Sequence, residues 1–226
     1  MEASFNSGSS ASSSFGPPLD YSFRNISSLS HLEKRYPRQS LRRQRRSPSG
    51  RYNSNVIRLA NNNLVDTKGL YQMALDVVEY PEEVAWLDLS FNEITVISED
   101  ILEFPALKMI YLHGNKIRKF SDLAILKRLP NLYSVTLHGN PVENYPNYRS
   151  SMICMFPSLK SLDFAKVTED EKDLARLHII VNKGSSRLSE SHGPSMGGQE
   201  PAHHHHHQHG AYHRPHGHHP TKKHSW

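Results

Sequence analysis

A single cysteine, Cys154, stands among 226 residues, so an internal disulfide is excluded. The paired cysteines that close the ends of secreted proteins of similar build are missing, and a reducing compartment is favoured. Long apolar runs are missing too. None approaches the roughly 18 residues of a membrane span, and the Ser-rich start carries no apolar stretch of a secretory signal. Nor does catalytic grammar stand out: there is no phosphate-cradling glycine loop, nucleophile elbow, HExxH or paired-carboxylate constellation at a definable place. These absences describe a soluble, cytosolic non-enzyme with no cofactor. Hydrophobic residues make up only 36% of the chain, too few to fold it throughout, and the apolar periodicity sits almost wholly between Asn55 and Val181.

The net charge of +5 misleads until it is partitioned. Residues 1–51 carry nine Lys/Arg against three Asp/Glu, a net +6, whereas residues 52–182 carry thirteen against seventeen, a net −4. Residues 183–226 add five against two, a net +3. The ends are basic and the periodic middle is mildly acidic, which disfavours a folded face that grips nucleic acid.

The middle repeats itself. Ser54–Leu64 (SNVIRLANNNL), Val84–Ile94 (VAWLDLSFNEI), Leu107–Ile117 (LKMIYLHGNKI), Leu132–Val142 (LYSVTLHGNPV) and Leu159–Glu169 (LKSLDFAKVTE) share the grammar L-x-x-L-x-L-x-x-N-x-L. This is the leucine-rich repeat signature. Asn62, Asn92, Asn115 and Asn140 lie 30, 23 and 25 residues apart, and Val167 holds the fifth place another 27 on. One such unit cannot bury its apolar face alone, so neighbours stack around a shared core. The four asparagines form a structural ladder, turning the chain out of each strand and pairing backbone groups of the turn. The fold class that follows is α/β: a right-handed solenoid with short parallel strands on its concave face, helices and 3-10 turns on its convex face, and disordered tails.

The spacing of Leu70, Met73, Ala74, Val77 and Val78 predicts a convex helix from about Lys68 to Tyr80. Each crossing ends on an apolar residue and proline, at Tyr80-Pro81, Phe104-Pro105, Leu129-Pro130 and Phe156-Pro157. Proline lacks the backbone donor and halts the helix before the next strand. Residues 52–182 therefore form the repeat domain, with a C-terminal cap over about 143–181; Thr168 is placed to cap its last helix. Residues 1–51 read as a disordered basic arm. Within it Pro17–Ile26 (PPLDYSFRNI) is an apolar island with two readings, a cap on the first repeat or a linear motif for a partner. Residues 34–51 hold eight basic residues and no acid, the pattern of a nuclear signal, of a patch for an anionic surface, or of a solvated linker. Ser47, after Arg42–Arg46 and before Pro48, resembles a kinase site. Residues 183–226 read as a disordered His-rich tail; His203–His207 could hold zinc, copper or nickel weakly, but no fixed geometry supports a metal site.

Alternation places positions 3, 5 and 7 of each repeat outward on the concave face. The columns read Val56, Trp86, Met109, Ser134, Ser161; then Arg58, Asp88, Tyr111, Thr136, Asp163; then Ala60, Ser90, His113, His138, Ala165. Exposed Trp, Met and Tyr side by side are typical interface anchors. The candidate partner-binding set is Arg58, Trp86, Asp88, Met109, Tyr111, His113, Thr136, His138 and Asp163, with Trp86, Asp88, Met109 and Tyr111 at its centre. Trp86 and Tyr111 could instead brace each other or lie under the N-terminal segment. His113 and His138 sit on adjacent rungs without a third ligand, which reads as turn support and not as a metal centre.

Tyr148, Arg149, Pro157, Leu162 and Asp163 match the cap of the cytoplasmic short leucine-rich repeat subclass. Pro17–Arg24, Trp86–Asn92, Tyr111–Asn115 and Thr136–Pro141 together resemble one small vertebrate family within it, over about Pro17–Ile180. That resemblance implies a non-enzymatic cytoplasmic interaction protein of ciliated or sensory cells and supplies no defined partner; the outward columns point to a scaffold or adaptor, monomeric outside its complex, that binds a protein on its concave face, and the basic arm allows a nuclear pool. The wider subclass implies the competing role, a nuclear ribonucleoprotein component or phosphatase regulator recruited through the basic arm.

Overall fold

Why this chain becomes a ladder of strands is visible at one residue per turn. Asn92 Nδ2 donates to Leu89 O and to Leu59 O of the preceding repeat, both at 3.0 Å, while its Oδ1 accepts from Leu64 N at 3.1 Å. Asn115 and Asn140 do the same one and two turns on. Each amide thus joins two adjacent turns through groups that would be buried unpaired without it.

The computed structural model describes residues 15–30, 32–39 and 44–177. Its strands are β1 (Leu19–Asp20), β2 (Val56–Arg58), β3 (Trp86–Asp88), β4 (Met109–Tyr111), β5 (Ser134–Thr136), β6 (Ser161–Leu162) and β7 (Ala165–Lys166). They form one sheet in chain order, parallel from β1 to β6 and antiparallel only between β6 and β7. The register aligns Val56, Trp86, Met109, Ser134 and Ser161 across the strands. Inward of the sheet, Ile57, Leu87, Ile110, Val135 and Leu162 are each fully buried.

The convex side is built from helix α1 (Leu70–Val77), 3-10 turns at Glu99–Glu103 and Phe120–Arg128, and helix α2 (Tyr148–Met155). Helix α1 is shorter than its apolar spacing predicts. Gly69 precedes it at φ 81 and donates its N–H to Asp100 at 2.5 Å. At the other end Val78 is already extended and bridges Tyr52. Residues 169–177 are helical behind Thr168, whose hydroxyl accepts from Glu171 N at 3.2 Å.

The arm before the repeats departs from the expectation of disorder wherever it is described. Strand β1 pairs with β2, Leu19 opposite Ile57 and Asp20 opposite Arg58. Leu19, Tyr21 and Ile26 are buried, in the positions Ile57, Leu59 and Leu64 occupy one turn later. Asn62 treats the segment as a turn of its own: it donates to Tyr21 O and accepts from Ile26 N, each at 3.0 Å. Residues 16–26 therefore form a degenerate repeat, with Gly16 at the first leucine place and Arg24 where the asparagine would stand. Residues 1–14 and 178–226, with the expected His-rich tail, lie outside the described residues.

Candidate functional site

A side chain at position 3, 5 or 7 points to the concave face, but what covers it depends on its neighbours. Thr136 is fully buried, because the His113 ring lies against it with Nδ1 at 2.8 Å from its Oγ1. Asp88 is 5% exposed; it takes 2.6 Å from Ser90 Oγ and 3.3 Å from Arg58 Nε. The Asp163 carboxylate accepts from Leu137 N at 2.6 Å, His138 N at 2.9 Å and Tyr148 Oη at 2.8 Å. All three were expected to face a partner. Their polar atoms are engaged within the protein; Thr136 and Asp88 are buried, while Asp163 stays half-buried at the face.

What does present itself is an aromatic ledge. Trp86 and Tyr111 meet edge to face at 5.2 Å between ring centroids, and Phe164 meets Tyr111 at the same distance. His113 and His138 stack at 4.6 Å with planes 10° apart. Phe164 lies 5.6 Å from each of them, and Phe91 caps His113 from the other side at 4.9 Å. Trp86, Met109, Tyr111 and the two histidines are half-buried, whereas Phe91 is 52% and Phe164 61% exposed. Burial pushes the Tyr111 phenol up, with Asp88 adding to it. The His113 imidazole is pushed down by burial and then by its stacked neighbour His138, so the ring is neutral at pH 7. The ledge is thus largely apolar. Arg58, held between Asp20 and Asp88 at 3.5 and 3.3 Å, marks its cationic border.

Phe91 and Phe164 were not among the expected site residues. Phe91 occupies the turn position where later repeats carry Gly114 and Gly139, and it shares their left-handed backbone, φ 53 against 68 and 73. A bulky residue there is strained, and a phenylalanine in place of glycine is the signal available from sequence. Phe164 follows from a departure in the last unit. Asp163 and Phe164 both take positive φ, 52 and 64, turning the chain back so that β7 pairs antiparallel with β6. Ala165 therefore leaves the expected outward column, and the Phe164 ring swings over the ledge instead of into the core.

His113 and His138 have different partners, Thr136 Oγ1 and Asp163 Oδ1, the latter at 3.4 Å. Among the described residues no group of three or more His, Cys, Asp or Glu is placed to hold a metal ion. No helix there is long and apolar enough to cross a membrane.

The model of the leucine-rich repeat family matches residues 55–190. Leucine-rich repeat-containing protein 51 of Macaca mulatta is 41% identical over 166 residues, covering 74% of this chain and 86% of its own length. The chain belongs to the leucine-rich repeat-containing protein 51 family. A more distant relative of this family member is the probable U2 small nuclear ribonucleoprotein A' of Drosophila melanogaster, 35% identical over 51% of the chain and 44% of its own length. Among solved structures, one from the Drosophila melanogaster SNF/U2A' complex superposes with a TM-score of 0.52 at 27% identity, over 66% of this chain and 92% of that one.

Proposed function

We propose that the chain is a non-enzymatic scaffold or adaptor that binds a protein partner on its concave face. The observation that supports this reading most is the ledge itself: two phenylalanines held more than half exposed, on strained backbone, beside a half-buried Trp-Tyr pair. Such surface is costly in water and typical of interface anchors. The partner surface that fits is an apolar helix or loop, seated against Trp86, Met109, Tyr111, His113, His138 and Phe164, with an acidic group near Arg58. The test compares partner recovery from ciliated-cell lysate by the wild-type chain, by Trp86→Ala/Tyr111→Ala and by Phe164→Ala. Each change is expected to weaken capture about 30-fold, as loss of roughly 2 kcal/mol of anchor contact would. Unchanged recovery by both variants, with unaltered circular dichroism, refutes the reading.

A second reading rests on the likeness to the SNF/U2A' structure: a ribonucleoprotein component, recruited through the basic arm. It requires that Arg42→Gln/Arg43→Gln/Arg45→Gln lowers the nuclear fraction and the salt-sensitive retention of RNA. If neither moves, this reading fails and the concave-face reading stands alone.

A further inference from the structure

The basic arm returns to the solenoid at a tight turn made of Ser47, Pro48, Ser49 and Gly50. Gly50 N donates to Ser47 O at 2.9 Å, and Ser47 N to Arg51 O at 2.7 Å. Gly50 is at φ 83, a conformation that a side chain would strain. The turn is fastened to the first repeat by one carboxylate. Ser47 Oγ donates to Glu79 Oε2 at 2.7 Å, and Ser49 Oγ donates to the same oxygen. These two hydroxyls, Ser49 first, hold the Glu79 carboxyl below the usual range, with Arg51 contributing. Behind the latch Tyr52 N donates to Val77 O and Glu79 N to Tyr52 O, at 2.8 and 2.9 Å.

The same segment holds the extra repeat in place. Gln44 Nε2 donates to Pro18 O at 2.7 Å, and Gly16 N to Asn53 O at 2.8 Å. The Arg46 guanidinium lies over the rings of Tyr52 and Tyr36, at 4.8 and 5.4 Å. Pro48 and Ser49 are exposed and Ser47 is half-buried, reached by opening two hydroxyl contacts at the surface. Arg42, Arg43, Arg45 and Arg46 precede Ser47 and a proline follows it, a cationic approach suited to a serine kinase.

We propose that Ser47 is a phosphorylation site whose phosphate opens this latch and loosens the N-terminal repeat. Ser47 Oγ attacks the γ-phosphorus of ATP bound to the kinase; the Oγ–P bond forms, the bond to the β-phosphate oxygen breaks, ADP leaves, and the hydroxyl proton passes to a base of the kinase. The product carries a charge of roughly −1.5 to −2 and acceptor oxygens only. Where a donor faced Glu79, like charge now faces it. The turn swings away, and with it go the Gln44 contact on Pro18, next to β1, and the Arg46 contacts on Tyr36 and Tyr52 that pin the arm. The regulation therefore belongs to the basic arm and does not require the concave-face reading.

The test uses the full chain carrying Ser49→Ala, phosphorylated by a serine kinase that recognises cationic sequences, with the modified residue located by fragmentation mass spectrometry. Hydrogen exchange at Tyr21, Phe23 and Tyr52 is expected to quicken at least about threefold, with Asn92 and Asn115 neighbours unchanged. The variant Ser47→Glu should reproduce the quickening, and Ser47→Glu/Glu79→Gln should cancel it. Failure of the kinase to modify Ser47, or exchange unchanged after modification, overturns the proposal. So does an equal quickening in Ser47→Ala, which removes the donor without adding charge.

Discussion

Asp163 offers a sharp separation between a residue that binds and one that builds. Its carboxylate gathers three donors, Leu137 N, His138 N and Tyr148 Oη, and burial together with Asp163 pushes the Tyr148 phenol far up, keeping it a donor. In Asp163→Ala the Leu137 and His138 amides lose their acceptor, and each buried donor left unpaired costs about 1–3 kcal/mol. Tyr148 is half-buried and can turn to water, so its share is smaller. Alanine also tolerates φ 52 poorly, adding roughly 1 kcal/mol. The sum is about 4 kcal/mol, a large part of the 5–15 kcal/mol typical of a domain. Asp163→Asn keeps an oxygen toward both amides and suits the left-handed backbone, so about 1 kcal/mol is expected. Equilibrium urea unfolding followed by circular dichroism measures both, and hydrogen exchange at Leu137 and His138 localises the effect. Equal losses in the two variants would refute the hydrogen-bond argument, and a loss below about 1 kcal/mol in Asp163→Ala would refute the structural role altogether.

Two further outcomes follow from the same kind of accounting. In Asn115→Asp an oxygen replaces the amide that donates to Leu89 O at 3.0 Å and Leu112 O at 2.9 Å; with a buried charge facing two carbonyls, urea unfolding at pH 7 should show a loss of about 3–5 kcal/mol, partly recovered at pH 4 where the carboxyl protonates. The Arg149 guanidinium, and next Thr168 N, hold the Glu171 carboxyl at about 2 against an ordinary 4.5. A lowered value means stability present above pH 4.5 and lost as the pH falls toward 2; after allowance for solvent screening this is about 1 kcal/mol. In Arg149→Gln that acid-dependent part of the thermal midpoint should shrink to the smaller share that Thr168 N still holds.

Much of this architecture is legible in the chain because one residue type recurs at one place in each turn. The asparagine at position 9 fixes the register, and once Asn62, Asn92, Asn115 and Asn140 are aligned, the row Val56, Trp86, Met109 and Ser134 across adjacent strands follows. The N-terminal repeat is harder to read because Arg24 replaces its asparagine, although Leu19, Tyr21 and Ile26 keep the apolar spacing of Ile57, Leu59 and Leu64. Alternation tells which way a Cβ points but not what leans over it. Thr136 points outward and is buried by His113; Asp88 points outward and is closed in by Arg58 and Ser90. The two phenylalanines escaped for a backbone reason, since left-handed residues change a side chain's direction without changing its place in the pattern.

The two ends of the solenoid answer the same physical need in opposite ways. A bare terminal turn exposes core and unpaired strand edge. At the N-terminus a degenerate repeat adds one more parallel strand, whose outer edge is met by Arg38 N on Asp20 O at 2.6 Å and by Gln44 on Pro18 O. At the C-terminus the strand folds back on itself as β7, which ends the sheet and throws Phe164 onto the concave face. The consequence is a molecule with two chemically distinct surfaces: an apolar ledge spanning β3 to β6, and a cationic, latched arm beside β1. Loosening the arm at Glu79 leaves Tyr111 and Phe164 three or more strands away untouched, so loss of a partner on Phe164→Ala and loss of one on Ser47→Glu would report different contacts. A partner lost from both variants would have to span the sheet from β1 to β6, and only a ligand that long would unite the arm and the ledge in one site.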